Sequence, residues 1–164
     1  MSQIARTLTT QMSANKLATQ TQIGSHHTVN HYLNLLEDMF VLRTLYSVDQ
    51  NTGAYRFKKE KKFYFTDPLL ARVAMRWLGL SMQEMEISHL AEMAVNEFLS
   101  QRFQRMGFLT SRSGEVDFYG HQKWAIEVKW AEDIKKLSPL YKNLILPFKR
   151  VWNQENIFLD LPQA

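Results

Sequence analysis

The chain has 164 residues, of which 45% are hydrophobic, and its 10 Phe, 6 Tyr and 4 Trp can fill one compact core or two small ones. It contains no cysteine, which excludes disulfides and thiolate metal sites and leaves oxygen ligands of the kind that suit Mg²⁺ or Mn²⁺. The net charge of +4 lies in residues 1–66, where eight Lys and Arg oppose four Asp and Glu, whereas residues 67–164 carry twelve of each. The basic part is therefore expected either to meet a polyanion or to form a solvated basic surface.

The first elements along the chain are predicted to be helices. Residues 2–12 and 14–21 have the pattern of two short helices, and Gly24 then interrupts the pattern. Ser25 can cap a third helix, because its hydroxyl can accept a hydrogen bond from a free amide of the first turn. Behind it, apolar side chains recur at helical spacing, at Val29, Tyr32, Leu33, Leu36 and Phe40.

Two strand patterns follow, over residues 40–46 and 61–65, with a polar loop between them. Three helices followed by a two-stranded ribbon predict a winged helix-turn-helix over residues 1–66. In such a unit the third helix enters the major groove and the ribbon lies near phosphates. Five polar side chains are then predicted near base edges: His26, His27, Thr28, Asn30 and His31. Five basic side chains are predicted to reach phosphates: Arg56, Lys58, Lys59, Lys61 and Lys62. A protein-docking module is the alternative interpretation, although the coincidence of a polar first turn and a basic cluster favours DNA.

The remaining residues, 67–164, predict a second domain of α/β or α+β type. Asp67 and Pro68 are typical of a helix start, and Gly79 is expected to end that helix. A longer helix is predicted from about residue 82 to 106, after which the apolar period changes to two. The predicted elements beyond it are three strands, a helix and a closing strand, over residues 108–112, 115–119, 124–130, 134–148 and 156–161.

The second and third of these strands form a hairpin with a charged face. Because strand side chains alternate, the apolar residues must face the core: Val116, Phe118, Ile126, Val128 and Trp130. The charged residues are left together on the other face: Glu115, Asp117, Glu127 and Lys129. Asp117 and Glu127 become neighbours across the hairpin, where two carboxylates repel each other unless a cation neutralises them.

A divalent cation would remove this repulsion, and Lys129 would then orient a water or stabilise negative charge on a phosphate. Glu92 would supply a further oxygen if its helix packs over the hairpin. The alternative is an ordinary solvent-exposed face carrying acids and a lysine, as is common in antiparallel sheets. His89 and His121 are isolated in the sequence, so we expect them to be surface or helix residues.

Asp117 followed by Glu127-Val128-Lys129 resembles the D…(D/E)-x-K motif of the PD-(D/E)xK nuclease superfamily, in which an upstream helix Glu, here Glu92, often completes the site. The surrounding sequence is similar to C-terminal regions of prokaryotic AAA+-type ATPases of uncharacterised role, in which a winged helix precedes a nuclease-like domain resembling archaeal Holliday-junction resolvases. The segments that carry this similarity are residues 28–37, 61–67, 92–95 and 114–118. The resemblance implies a restriction-endonuclease-like α/β domain with a mixed central sheet over residues 67–164. It also implies catalytic roles for Glu92, Asp117, Glu127 and Lys129, and a Mg²⁺ or Mn²⁺ site formed by Asp117, Glu127 and the backbone carbonyl of Val128.

The expected function is that of a DNA-binding protein with a metal-dependent nuclease-like domain, acting as a Mg²⁺-dependent DNA endonuclease. No G-x-x-x-x-G-K-[ST] phosphate loop is present, so no ATPase activity is expected. The chain is interpreted as the C-terminal part of such an ATPase, a truncated relative or a stand-alone relative. The alternative is a catalytically inactive regulatory or protein-interaction module, to which the predicted Met-rich helix with Met82, Met85 and Met93 would be suited.

The expected partners are DNA, an ATPase module or another protein, and a second copy of the chain. The N-terminus has no apolar run for a signal peptide, and no stretch is long and apolar enough to span a bilayer. We therefore expect a cytoplasmic protein without a membrane partner.

Overall fold

The computed structural model describes residues 10–79, 87–130 and 137–159 of the chain. Over these residues the fold is a mixed α+β arrangement with five helices and two sheets. The helices are α1 (Ala14–Thr21), α2 (His26–Asp38), α3 (Pro68–Trp77), α4 (Ile87–Ser100) and α5 (Pro139–Asn143). The strands are β1 (Leu42–Tyr46), β2 (Lys61–Phe65), β3 (Gly107–Ser111), β4 (Gly114–Gly120), β5 (Trp124–Val128) and β6 (Phe148–Trp152).

The helices predicted over residues 14–21 and after Ser25 are confirmed, because local capping signals define their starts. Ser13 accepts a hydrogen bond from the amide of Lys16 at the start of α1, and Ser25 accepts one from the amide of Thr28 at the start of α2. The helix predicted over residues 2–12 lies mostly outside the described residues. At its end the prediction is wrong, since Met12 is paired with Lys61 in an antiparallel bridge.

β1 and β2 form the predicted antiparallel ribbon, with Leu42 opposite Phe65 and Tyr46 opposite Lys61. β2 is buried on both faces. Phe63 packs in a small core with α1 and α2, whereas Tyr64 and Phe65 belong to a larger core with α3, α4 and the second sheet. This larger core therefore continues across residue 66, where the sequence predicts a domain boundary.

The helix start predicted at Asp67 is confirmed: its carboxylate accepts a hydrogen bond from the amide of Leu69, 2.6 Å away, and Pro68 is the first residue of α3. The long helix predicted over residues 82–106 is wrong at its C-terminal end, because α4 ends at Ser100. There Phe103 leaves the helix to pack on Trp124, with ring centroids 4.9 Å apart. Met82 and Met85 lie outside the described residues.

The second sheet has the order β3-β4-β5-β6, in which β3, β4 and β5 are antiparallel and β6 lies parallel to β5. The prediction of a mixed sheet is therefore confirmed. The helix predicted over residues 134–148 is confirmed only over the five residues of α5. It is wrong in the rest of its described part, where Pro147 precedes β6. The closing strand predicted over residues 156–161 is wrong in its described part. The chain forms a turn there, in which the side-chain oxygen of Asn153 accepts hydrogen bonds from the amides of Glu155 and Asn156.

A β-bulge lies where β3 pairs with β4. Leu109 is opposite Val116 and Gly107 is opposite Tyr119, so that two residues of β4, Asp117 and Phe118, fall opposite one residue of β3. Side-chain alternation is therefore interrupted. Val116 and Phe118 pack in different cores, and the prediction that they share one face is wrong.

The ribbon and the sheet are joined at one edge. Ser47, just after β1, forms a parallel bridge with Phe108, and the amide of Val48 donates to the Phe108 carbonyl. A side chain at Gly107 would collide with Val48 and with the Tyr46 carbonyl, so this close approach needs glycine. Among the described helices, none has the length and apolar character needed to cross a membrane.

Candidate functional site

The four residues predicted to be catalytic converge on one buried site. Glu92 lies on α4, Asp117 at the bulge of β4, Glu127 on β5, and Lys129 directly after β5. Asp117 is 8% exposed and Glu127 is 3% exposed. The alternative interpretation of the hairpin as an ordinary solvent-exposed charged face is therefore wrong, because the sheet is covered on both sides here.

Asp117 and Glu127 are held side by side through the backbone of the opposite strand. Glu127 Oε2 accepts a hydrogen bond from the Asp117 amide at 3.3 Å, and Asp117 Oδ2 accepts one from the Val128 amide at 3.0 Å. Lys129 Nζ lies 2.8 Å from Glu127 Oε1 and has a 30% exposed side chain. The arrangement fixes two carboxylates together and leaves an ammonium group at the solvent side.

Lys62 is the unexpected member of this site. Its Nζ lies 2.9 Å from Glu92 Oε1 and 3.1 Å from Asp117 Oδ1, and it also pairs with the carboxylate of Glu115. The side chain is only 2% exposed, because Lys62 lies on the face of β2 that covers the sheet. Its predicted placement on a wing facing phosphates is therefore wrong.

Tyr64 follows Lys62 on the same face of β2, and its hydroxyl donates to Glu92 Oε1 at 2.6 Å. The sequence interpretation missed both residues as members of the site. One signal pointed to them, since Lys62 directly precedes three consecutive aromatic residues, Phe63, Tyr64 and Phe65, a run that has the composition of a buried strand.

The site, called the acidic site below, contains four carboxylates, from Glu92, Glu115, Asp117 and Glu127. Two ammonium groups, from Lys62 and Lys129, oppose them. If all were ionised, the charge would be two ammonium groups minus four carboxylates, or a negative excess of two. Burial raises the pKa of Glu92 to about 7, and burial together with the charge of Asp117 raises the pKa of Glu127 to about 7. Near neutral pH, protonation of these two groups removes part of the excess.

The ammonium groups respond in the opposite sense. Burial disfavours the charged form of Lys62, but Tyr64, Glu92 and Asp117 outweigh it and hold the pKa of the ammonium well above its usual range. The pKa of Lys129 is also raised, because its hydrogen bond and ion pair with Glu127 outweigh the burial of its side chain. Both lysines therefore remain charged when the carboxylates titrate.

The chemistry of the site suits a hard divalent cation in part. Asp117 and Glu127 offer paired carboxylate oxygens, and the negative excess of two matches the charge of Mg²⁺ or Mn²⁺. Against this, the described residues contain no group of three or more His, Asp or Glu side chains arranged to hold a metal ion. The Lys62 ammonium lies between Glu92 and Asp117. It therefore occupies the place that a metal ion shared by these two carboxylates would need.

The residues predicted to contact base edges lie on or near the first turns of α2. The side chains of His26, His27, Thr28 and His31 are exposed. Asn30 is half-buried, and its side-chain oxygen lies 3.4 Å from Lys61 Nζ. Four of the five side chains are therefore accessible to a partner.

The residues predicted to contact phosphates differ in accessibility. Lys58 and Lys59 are exposed in the loop between β1 and β2. Arg56 is exposed and paired with Asp49 at 2.5 Å. Lys61 is half-buried, with Nζ 5.3 Å from the centroid of the Tyr46 ring. With Lys62 buried among the carboxylates and Lys61 half-buried, Lys58 and Lys59 are the exposed lysines of the predicted set.

Comparison with known proteins gives one family match. A family model described as Domain of unknown function (DUF8612) matches residues 1–84. No curated protein and no solved structure matches the chain. The matched region includes α1 to α3 and both strands of the ribbon, and therefore Lys62 and Tyr64, but it ends before Glu92, Asp117 and Glu127.

Proposed function

We propose that this chain, which belongs to the family described as Domain of unknown function (DUF8612), is a DNA-binding protein with a metal-dependent nuclease-like site. The observation that carries the proposal is the side-by-side burial of Asp117 and Glu127, with Lys129 paired to Glu127 at 2.8 Å. Buried carboxylates whose pKa is raised by burial and by a neighbouring carboxylate, as that of Glu127 is, are found preferentially at functional sites. We further propose a winged helix-turn-helix over residues 1–66 and a PD-(D/E)xK-like domain over residues 67–164.

Two features of the fold support these assignments. The two capped helices followed by an antiparallel ribbon have the order expected of a winged helix-turn-helix, and the first turns of α2 are exposed and polar. The mixed sheet follows a helix that carries Glu92, and its central strands carry Asp117 and Glu127.

The proposed reaction is hydrolysis of a phosphodiester, in which a water oxygen forms a new bond to phosphorus and a sugar oxygen leaves with a proton. A bound Mg²⁺ or Mn²⁺ would stabilise charge on the phosphate and lower the pKa of a bound water. Asp117 and Glu127 would hold the cation in their ionised forms. Lys129, positioned by Glu127 and partly exposed, would stabilise negative charge on the phosphate.

The test is a calorimetric titration of Mn²⁺ into the wild-type protein and into Glu127→Gln. Glu155→Gln is the matched control, since Glu155 is an exposed carboxylate outside the site. We expect wild type and control to bind Mn²⁺ and Glu127→Gln to lose the binding. Linear and branched DNA would then be assayed for cleavage, and cleavage that survives both Glu127→Gln and Lys129→Ala would contradict the proposed site.

A second candidate function is supported by Lys62. Its ammonium contacts three carboxylates of the site and so neutralises part of the negative charge that a metal ion would otherwise neutralise. On this proposal the domain is a catalytically inactive regulatory or protein-interaction module, with a partner such as an ATPase module. A folded wild-type protein that binds no Mn²⁺ would favour it. Binding to a protein partner through apolar surface should also depend weakly on salt, in contrast to DNA binding.

A further inference from the structure

A cavity separate from the acidic site lies at the turn between β4 and β5. It has a volume of about 730 Å³ and is lined by Val48, residues 52–55, the segment after α4, and the hairpin turn itself. Its volume falls within the range of small-molecule sites in proteins, roughly 300–1,000 Å³. The carboxylates of the acidic site are not among the residues that line it.

The lining of this cavity is basic. It includes Arg102, Arg105, Lys123 and His121, and no Asp or Glu. Arg102, Arg105 and Lys123 are exposed, and none of them forms an ion pair with a carboxylate in the parts of the chain that the structure covers. Cations that lack a protein carboxylate around a concave surface favour an anionic ligand.

Aromatic rings form the apolar part of the lining. Phe103 packs on Trp124, and the Tyr55 hydroxyl donates to the Met106 carbonyl at 3.3 Å, which fixes the Tyr55 ring beside them. Tyr55 and Phe103 are half-buried. A planar ring of a ligand can stack on such side chains, as bases do in sites for single-stranded nucleic acid.

The shape of the cavity is built into the fold. Gly53 has φ +72°, and a Cβ there would lie 2.6 Å from His121 Cγ, so the loop after β1 is held against the hairpin turn. His121 Nδ1 is buried and has no hydrogen-bond partner within the described residues.

We infer that this cavity binds a phosphate-bearing nucleotide, either free or as the end of a nucleic-acid strand. The cations Arg105 and Lys123 hold the phosphate, and the base packs beside Tyr55 and Phe103. The site requires neither the buried carboxylates nor a metal ion, so it goes beyond the proposed nuclease function and stands independently of it.

The test is calorimetric titration without divalent metal, using inorganic phosphate, adenosine 5′-monophosphate, and a ten-nucleotide thymidine strand with and without a 5′-phosphate. The test variant is Arg105→Gln/Lys123→Gln, and Lys142→Gln removes an exposed charge outside the cavity as the control. Thermal melting checks that each variant is folded. Loss of two charge-assisted contacts should weaken nucleotide binding by about 10-fold or more.

Monophosphate binding that falls in the double variant, and persists in Lys142→Gln and Glu127→Gln, supports a free nucleotide as the ligand. Binding of only the phosphorylated strand, with the same dependence on the double variant, supports the strand end. The inference is overturned if wild type binds neither adenosine 5′-monophosphate nor the phosphorylated strand. It is also overturned if the monophosphate does not bind and the strand binds equally well with and without its 5′-phosphate. A double variant that binds these probes as tightly as wild type does would overturn it as well. Inorganic phosphate binding as tightly as the monophosphate also overturns it, since the base would then contribute nothing.

Discussion

The Nζ atom of Lys62 lies 3.1 Å from Oδ1 of Asp117, although 55 positions separate the two residues in the chain. The contact joins the ribbon that follows α2 to the bulge in the second sheet. The ammonium also lies 2.9 Å from Glu92, so one cation from the N-terminal part links two carboxylates from the C-terminal part. The electrostatics of the acidic site are therefore shared between the two parts of the chain.

Replacing Lys62 by Met should destabilise the metal-free protein. Removing one partner of a buried ion pair leaves uncompensated charge, at a cost of about 3–5 kcal/mol. The free energy of unfolding in urea measures this, and Lys58→Met, at an exposed lysine, should change it by less than about 0.5 kcal/mol. The same Lys62 variant should bind Mn²⁺ more tightly, because Glu92 and Asp117 lose their competing cation. Equal stability of the two variants would show that the Lys62 contacts contribute little.

The pH dependence of stability should reveal the raised pKa of Glu127. Its pKa is raised from 4.5 to about 7 in the folded protein, so between these values the folded state binds more protons than the unfolded state. The contribution of this group to stability is therefore present below pH 4.5 and is lost as the pH rises towards 7, by on the order of 1–3 kcal/mol.

The measurement is the melting temperature of wild type and Glu127→Gln from pH 5 to pH 8 in the presence of a chelator. Glu127→Gln should gain stability relative to wild type as the pH rises, because the amide does not ionise. The melting temperature of Glu155→Gln, a change at an exposed carboxylate, should vary with pH as that of wild type does. A constant difference between wild type and Glu127→Gln across this range would contradict the raised pKa.

The elements that the sequence predicts correctly carry local signals. Ser25 and Asp67 cap their helices with hydrogen bonds to residues two or three positions ahead, and the patterns of β1 and β2 depend on neighbouring side chains. The order of Asp117, Glu127 and Lys129 in the sequence also predicts that their side chains lie together. A strand hairpin with one short turn brings such residues together whatever surrounds it.

The features that could not be predicted depend on distant contacts. β6 is a strand because it pairs in parallel with β5, and such pairing leaves no trace in the residues of β6 alone. The bulge at Asp117 depends on the register between β3 and β4, which alternation cannot show. The basic residues near Lys62 in the sequence predict a DNA contact for it, whereas its partners in the fold lie 30 or more positions away.

The proposed DNA contact predicts a change in salt dependence. Lys58→Gln/Lys59→Gln should weaken binding to duplex DNA, because both side chains are exposed in the ribbon loop. If each contacts one phosphate, the slope of log affinity against log salt should become shallower by roughly 0.9 for each lysine. Fluorescence anisotropy at several salt concentrations measures the slope. Lys142→Gln is the control, and an unchanged slope in the double variant would place the DNA contact elsewhere.

The junction between ribbon and sheet should not tolerate a side chain at Gly107. A Cβ there would meet the Val48 side chain and the Tyr46 carbonyl, so Gly107→Ala should destabilise the protein by about 1–3 kcal/mol. Gly24→Ala is the matched control, because a Cβ at Gly24 would have no neighbour within 4 Å. Denaturant unfolding compares the two variants. If Gly107→Ala costs no more than Gly24→Ala, the close approach of β1 and β3 is not required for stability.

The burial of Lys62 also sets an order of events during synthesis. A ribosome completes β2 before it has made α4, β4 or β5, so the lysine has to stay hydrated until carboxylates from later elements reach it. Contacts between residues this far apart form slowly compared with local helices. During that interval the aromatic side chains of β2 that follow Lys62 are left uncovered, and the strand is prone to association with other chains. We expect β2 to become buried only when the carboxylates of the C-terminal part are also in place. In incomplete chains, Lys62 would therefore stay exposed to solvent.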